Sequence, residues 1–378
     1  MVDNASLDRY LTWAEIDLKA VSHNIRSIKQ HIQPTVGVMA VVKANAYGHG
    51  AVPIAKTALA TGAEWLAVNR VEEGVALRQA GIEARTLVLG YCPPGQAGLV
   101  VDNNLTPAVT TPATAAALAD RASRLNRKFP VHLKIDTGMG RLGLLPEEVV
   151  DFAKMLADCP PLQLEGIFSH LATADDPDPA FSRQQLRVYQ EVVQAIEAAG
   201  IDIPLHHLAN SAAGLQLPET HNHLVRLGIA MYGLTPSTRI DLPVDLRPAM
   251  TLKTRVARLR VLPTGASVGY GRTFLAPQPT AVALAPIGYG DGYARLCSNR
   301  GEMLVGGRRA KVIGMVSMDQ TSLDVSGIDS IAQDDEIVVF GRQGEATITA
   351  EEVARWSETI NYEVVTRLAA RVPRLYVD

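Results

Sequence analysis

The sequence predicts an α/β protein: an N-terminal (β/α)8 barrel of the TIM type, followed by a C-terminal mainly β domain. Two observations carry this. From about residue 36 to 235, short apolar β-rich runs alternate with longer Ala/Leu/Glu-rich helical periods, and the runs number eight. After residue 235 the helical periods stop, a Pro-rich spacer (TPSTRIDLPVDLRP, 235–248) intervenes, and β-rich runs follow. The boundary is placed at 240/241, giving a barrel over 1–240 and a β domain over 241–378, with the option that the first dozen residues pack on the β domain. At 378 residues the chain is too long for one small core, which agrees with two domains.

The eight strand candidates are VGVMAVVK (36–43), WLAV (65–68), TLVL (86–89), TPAV (106–109), VHLKID (131–136), LEGIFSH (164–170), LHHLA (205–209) and VRLGIA (225–230). Helical periods fall between them at 50–61, 71–80, 111–126, 146–158 and 183–199. Eight βα units close naturally into a barrel. The alternative is a doubly wound open sheet, but no GxGxxG opens the first helix. In the second domain the runs TLKTRVARLRVL, TAVALAPIG, GEMLVGG, RAKVIGMV, TSLDVS and DEIVVFG read as strands, and ITAEEVARWSETI reads as a helix before a short tail.

Composition narrows the function. Hydrophobic residues make up 47% and charged residues 20%, as in a folded soluble protein. A net charge of −3 gives no basic field, so nucleic acid is not an expected partner. No apolar stretch reaches spanning length, so no membrane is expected. Three scattered cysteines (Cys92, Cys159, Cys297) suggest neither a disulfide framework nor a metal site. The N-terminus lacks a secretory pattern, and a cytoplasmic setting is expected.

The barrel gives the stretch VVKANAYGHG (41–50) a meaning. Active sites lie at the C-terminal ends of barrel strands, and Lys43 ends the first one. The same rule gathers Lys134 and Asp136 from the fifth strand, Arg141 just beyond it and His170 from the sixth. Asn210 and Ser211 follow the seventh strand, and Arg226 and Gly228 come from the eighth. A lone strand-end lysine reads as a surface cap; so many polar groups at one mouth do not read as packing. Ser211 and Gly228 fall where barrels often hold phosphate on backbone N–H groups, and a helix starting near Ser211 would add a positive end. A lysine suited to a Schiff base beside a phosphate site points to pyridoxal 5'-phosphate (PLP).

Arg226 reads either as a rim ion pair or as the partner of a pyridine nitrogen. In the second case a guanidinium, which keeps its proton, leaves the ring a weaker electron sink and discourages transamination. Strand alternation puts His132, Lys134 and Asp136 on one face, so a charged Lys134 needs a partner inside the barrel. Arg141, on a glycine-flanked turn, suits a carboxylate clamp. Tyr270, between glycines in GYGRTF, is a weak candidate base on its own.

Taken in order, these stretches resemble the alanine racemase family of PLP-dependent, fold-type III enzymes. The resemblance runs from AEIDLKAVSHNI (14–25) through VVKANAYGHG, KIDTGMGRLG, ANSAA, RLGIAMYG, GYGRT and MDQ to INYEVVTRL (360–368). It implies two-base racemisation of alanine, supplying D-alanine for peptidoglycan. Lys43 is the implied Schiff-base lysine and one acid/base, and Tyr270, from the other subunit of a homodimer with shared active sites, is the second. The resemblance assigns the cofactor to Lys43, Tyr47, His170, Asn210, Ser211, Arg226, Gly228, Ile229 and Tyr362, and the substrate carboxylate to Arg141 and the Met318 N–H. Lys134 resembles a carbamylated lysine that orients Arg141. His170 is implied beside Tyr270, and His207 behind Arg226. Asp319 belongs to the MDQ motif, and Tyr289 and Arg295 resemble entrance residues. One departure is Ser317, where many members carry cysteine. The alternatives are a serine or broad-specificity racemase with the same machinery, a fold-type III decarboxylase, and a barrel-only PLP-binding protein. Cys297 lacks the decarboxylase context, and the second domain argues against the barrel-only protein.

Overall fold

The structure, a computed structural model, describes residues 9–377. The chain forms two compact units. One comprises Val21–Ala46 and Ala51–Arg247; the other comprises the N-terminal segment up to Ala20, Tyr47–Gly50 and the chain from Pro248. The boundary drawn at 240/241 thus lies a few residues before the change at 247/248, and two earlier segments group with the C-terminal unit.

That grouping begins with β1 (Thr12–Asp17), which pairs with later strands as described below. The first unit is a barrel of eight parallel strands: β2 (Gly37–Val41), β3 (Trp65–Val68), β4 (Thr86–Val88), β5 (Thr106–Val109), β6 (Phe129–Lys134), β7 (Leu162–Phe168), β8 (Leu205–His207) and β9 (Leu224–Leu227). Their order is β8-β7-β6-β5-β4-β3-β2-β9. Backbone bonds from His223 N to His206 O (3.0 Å) and from Arg226 N to Ala209 O (3.0 Å) join β8 to β9 and close the ring. Strands β2 to β5 are buried along their whole length, because helices cover one side and the barrel interior the other. This is why they read as continuous apolar runs. Helices Ala51–Ala60, Val71–Gln79, Pro112–Arg124, Pro146–Ala157 and Ala180–Ala198 occupy the expected intervals. The short helix Ala97–Asp102 between β4 and β5 was not expected; the Pro-Gly pair at 94–95 masks its period.

Gly166 in β7 makes room for an interior imidazole. A Cβ there would lie 2.6 Å from ring atoms of His132, and the β6–β7 register shifts between Val131 and His132.

The second unit is mainly β. Its strands are β1, β10 (Met250–Arg255), β11 (Arg258–Leu262), β12 (Ser267–Val268), β13 (Phe274–Leu275), β14 (Thr280–Ala285), β15 (Glu302–Val305), β16 (Arg308–Val312), β17 (Thr321–Asp324), β18 (Glu336–Gln343), β19 (Ala346–Ile348) and β20 (Arg374–Val377). The large sheet runs β11-β14-β17-β16-β15-β18-β10-β1-β20, with β19 on β18, and β12 and β13 form a separate hairpin. β1 lies antiparallel to β10 and parallel to β20. It buries Trp13, Ala14 and Ile16 and leaves Thr12, Glu15 and Asp17 partly exposed, and the sequence reading did not assign it as a strand. Of the first dozen residues offered to the β domain, residues 1–8 lie outside those described. The C-terminal tail carries the helix Asn361–Thr366 and β20 in addition to the expected helix, seen at Ala350–Trp356.

Candidate active site

β2 ends at Val41, and Lys43 opens an unusual turn. Ala44, Asn45, Ala46 and Tyr47 all have φ between 51° and 53°, so the chain makes one left-handed helical turn before Gly48 (φ 85°). Left-handed residues with a Cβ cost roughly 1–2 kcal/mol each, and only Asn tolerates this well. The turn therefore needs outside support. The Glu73 carboxylate accepts from the N–H groups of Ala44 (2.6 Å), Asn69 (2.8 Å) and Arg70 (3.0 Å), and Asn45 Oδ1 accepts from Ala51 N (2.9 Å). The sequence reading missed Glu73. Its only sequence signal is its place in the first turn of a helix after a neighbouring strand.

Lys43 shares the mouth of the barrel with a cluster of cations. Burial, then the charges of Arg141 and Arg226, lower its amine pKa against the opposing pull of Glu73. Lys134 is buried, with only a 3.4 Å bond to Leu89 O and the Phe168 ring beneath it among the described residues. Burial, followed by Arg226, Arg141 and Lys43, brings its pKa down to about 8, with Asp136 opposing. The Asp136 carboxylate accepts from the N–H groups of Gly138, Gly140 and Arg141 (2.8–3.0 Å) and so shapes the turn that carries Arg141. The Arg141 guanidinium is exposed and pairs with no carboxylate among the described residues.

Arg226 is buried and pairs with no carboxylate among the described residues. One terminal nitrogen donates to His207 O (3.0 Å) and His207 Nδ1 (3.1 Å); the other donates to Ser169 O (2.8 Å), Leu208 O (2.9 Å) and His170 Nδ1 (3.0 Å). The rim ion pair is therefore excluded, and Nε has no protein acceptor among the described residues. Burial lowers the guanidinium pKa to about 10, still charged at neutral pH. Burial and then Arg226 hold both His170 and His207 well below the ordinary imidazole range, so both are neutral.

The ends of β8 and β9 form a small cradle. Asn210 caps the helix Ser211–Gln216, its Oδ1 accepting from Ala213 N (3.0 Å). Ser211 Oγ accepts from Gly228 N (2.9 Å) and Ala230 N (3.4 Å), which leaves its proton available to an anion. Ile229 opens a 3-10 turn, so its N–H has no acceptor within that turn.

The remaining candidates lie in the second unit. Tyr47 and Tyr362 have ring centroids 6.2 Å apart, and burial pushes the Tyr47 phenol up to about 12. Gly48 is obligatory beside them, since a Cβ would meet Val365 O at 2.1 Å. The loops carrying Tyr289 and Met318 are joined by bonds from Tyr289 N to Ser317 O (3.1 Å) and from Gly290 N to Met318 O (2.8 Å). Arg371 braces both loops, donating to Asp291 (2.8 Å) and Asp319 (2.7 Å), a role the sequence reading did not see. Tyr270, 73% exposed between Gly269 and Gly271, makes no hydrogen bond among the described residues. Arg295 is likewise exposed.

Fold and site together define a (β/α)8-barrel protein with a β domain and a lysine-bearing cationic mouth suited to an anionic ligand. Two family models match, "Alanine racemase, N-terminal domain" over residues 16–236 and "Alanine racemase, C-terminal domain" over residues 249–376. The chain belongs to the alanine racemase family. It is 47% identical to the protein named alanine racemase from Symbiobacterium thermophilum, covering 97% of each chain. Among solved structures, alanine racemase from Streptomyces lavendulae is 38% identical with a TM-score of 0.93, covering 97% of each chain. The Bartonella henselae alanine racemase, described with covalently bound pyridoxal phosphate, is 29% identical with a TM-score of 0.88, covering 97% of this chain and 100% of that one.

Proposed function

We propose that this protein is an alanine racemase that interconverts L- and D-alanine with PLP held at the barrel mouth. One observation carries the reading. Lys43 stands among Arg141, Arg226 and Lys134, while Arg226 is fixed through both terminal nitrogens with Nε unclaimed. That donor set fits the group: an amine for covalent attachment, a permanent N–H donor for a ring nitrogen, and the Ser211, Gly228 and Ile229 cradle for a phosphate.

When bound, PLP supplies the electron sink that labilises the Cα proton. The chain's own residues do the rest. Lys43, its amine pKa lowered, moves the proton on one face of Cα, and Tyr270 from a second copy moves it on the other. Two bases on opposite faces are the economical arrangement, because a single base would have to swing around Cα to return the proton on the other side. Arg226 donates through Nε and keeps its proton, which limits transamination. His170 and His207 fix Arg226. Tyr47, Asn210, Ser211, Gly228, Ile229 and Tyr362 hold the cofactor. Arg141 and the Met318 N–H take the substrate carboxylate, Asp319 supports the Met318 loop, and Tyr289 and Arg295 line the entrance. Carbamylation of Lys134 would turn a buried cation, one of four at this mouth, into an anion facing Arg141. The protein acts as a homodimer in the cytoplasm and supplies D-alanine for peptidoglycan; the homodimer and the peptidoglycan role rest on family resemblance, and the cytoplasmic setting on the three scattered cysteines.

The test is proton NMR of the purified enzyme with L-alanine, and separately L-serine, in heavy water, with chiral analysis. Deuterium at Cα with D-alanine formed, and serine turned over much more slowly, is the expected result. No exchange with either amino acid would refute the proposal. Lys43→Ala should abolish the visible absorbance of lysine-bound cofactor, and its persistence would overturn the role of Lys43.

A further inference from the structure

A chain of hydrogen bonds crosses the barrel interior beneath Arg226, and chemistry fixes its direction. A guanidinium can only donate, so His207 Nδ1, 3.1 Å from Arg226, is an acceptor. A neutral imidazole with an accepting Nδ1 carries its proton on Nε2. His207 Nε2 lies 3.0 Å from His132 Nδ1, which must then accept. The proton of His132 is therefore also on Nε2, 3.4 Å from Glu165 Oε2. The other oxygen of Glu165 pairs with Arg85, whose guanidinium stacks over Trp65 at 4.5 Å. An ionised carboxylate only accepts, so the chain has one donor end and one acceptor end, with two imidazoles between them in a single tautomeric order.

Packing leaves the rings little freedom. His132 and His207 are fully buried, and His207 stacks on Phe168 at 4.7 Å and 10°. The Cβ-less Gly166 accommodates the His132 ring. If His132 carried its proton on Nδ1 instead, that proton would meet the Nε2–H of His207. His207 would have to shift its own proton to Nδ1, where it would face the N–H of Arg226, and the guanidinium would be displaced.

We propose that Glu165, at the far end of this chain, is a positioning residue for Arg226, acting by fixing the tautomers of His132 and His207. The function of Glu165 in limiting transamination rests on the proposed role of Arg226; the tautomeric order does not.

The experiment is 15N NMR of histidine-labelled holoenzyme, combined with the ratio of transamination to racemisation events. In the wild type both imidazoles are expected as Nε2–H tautomers. Glu165→Leu removes the terminal acceptor; His132 should then populate Nδ1–H, and the ratio should rise about tenfold. Arg85→Met breaks the same ion pair but leaves the acceptor, so tautomers and ratio should stay as in the wild type. An Nδ1–H tautomer of His207 in the wild type would overturn the proposal without any variant, so poor folding of Glu165→Leu cannot shield it. Unchanged tautomers and ratio in Glu165→Leu would also overturn it. If wild type binds no PLP, the proposed function fails and the tautomers alone decide this inference.

Discussion

Replacing Lys134 by Met should stabilise the protein at neutral pH. Lys134 is buried beside three other cations, and its pKa falls from 10.5 to about 8. A depression of that size means that keeping the ammonium in the fold costs about 3 kcal/mol relative to the unfolded chain. Below pH 8 both states hold the proton and the full penalty applies. Between pH 8 and 10.5 the unfolded state binds more protons, so wild-type stability rises with pH, and above 10.5 the penalty is gone. Met fills a similar volume and removes the charge. Loss of the 3.4 Å bond to Leu89 O takes back at most about 1 kcal/mol, leaving a net gain of about 2 kcal/mol at pH 7. Urea unfolding in bicarbonate-free buffer between pH 6 and 10.5 is the assay. The variant should lead at pH 7 and lose that lead toward pH 10.5. Added bicarbonate should stabilise wild type alone if Lys134 forms a carbamate. A variant that is less stable at pH 7, or a difference that does not change with pH, would refute the reasoning.

Tyr270→Phe should lower racemisation by roughly 10²–10⁴-fold while leaving cofactor absorbance intact; equal activity in a chiral assay would assign the second base elsewhere. Glu73→Ala strips three N–H groups of their acceptor beneath a left-handed turn, and should cost about 2 kcal/mol in urea unfolding. An unchanged unfolding midpoint would mean the turn holds itself. Arg371→Gln frees the Met318 and Tyr289 loops from their shared brace. Steady-state kinetics should show KM for alanine raised several-fold with kcat little changed, and a fall in kcat alone would contradict that role.

Much of the fold was written along the chain. Parallel strands buried on both sides are continuous apolar runs, and the covering helices carry a 3.6-residue period, so the eight barrel strands could be located to within a few residues. The rule that barrel sites lie at strand C-termini then drew Lys43, Lys134, Arg141, Arg226 and Ser211 together, because these side chains sit on or just beyond strand ends. What only the tertiary structure decided depends on contacts distant in sequence. β1 gains its place from β10 and β20, more than two hundred residues away. The left-handed turn after Lys43 is set by Glu73 and Asn45, not by local preference, since Ala and Tyr disfavour positive φ. Arg371 reads as a surface charge until the fold sets it between Asp291 and Asp319. His132 stands out by strand alternation and His207 by the family resemblance, but Glu165 does not, and the three become one ordered chain only when β6, β7 and β8 lie side by side with Gly166 making room. Periodicity records which face of an element is buried. It carries no record of which partner meets that face, and hydrogen-bond direction depends on the partner.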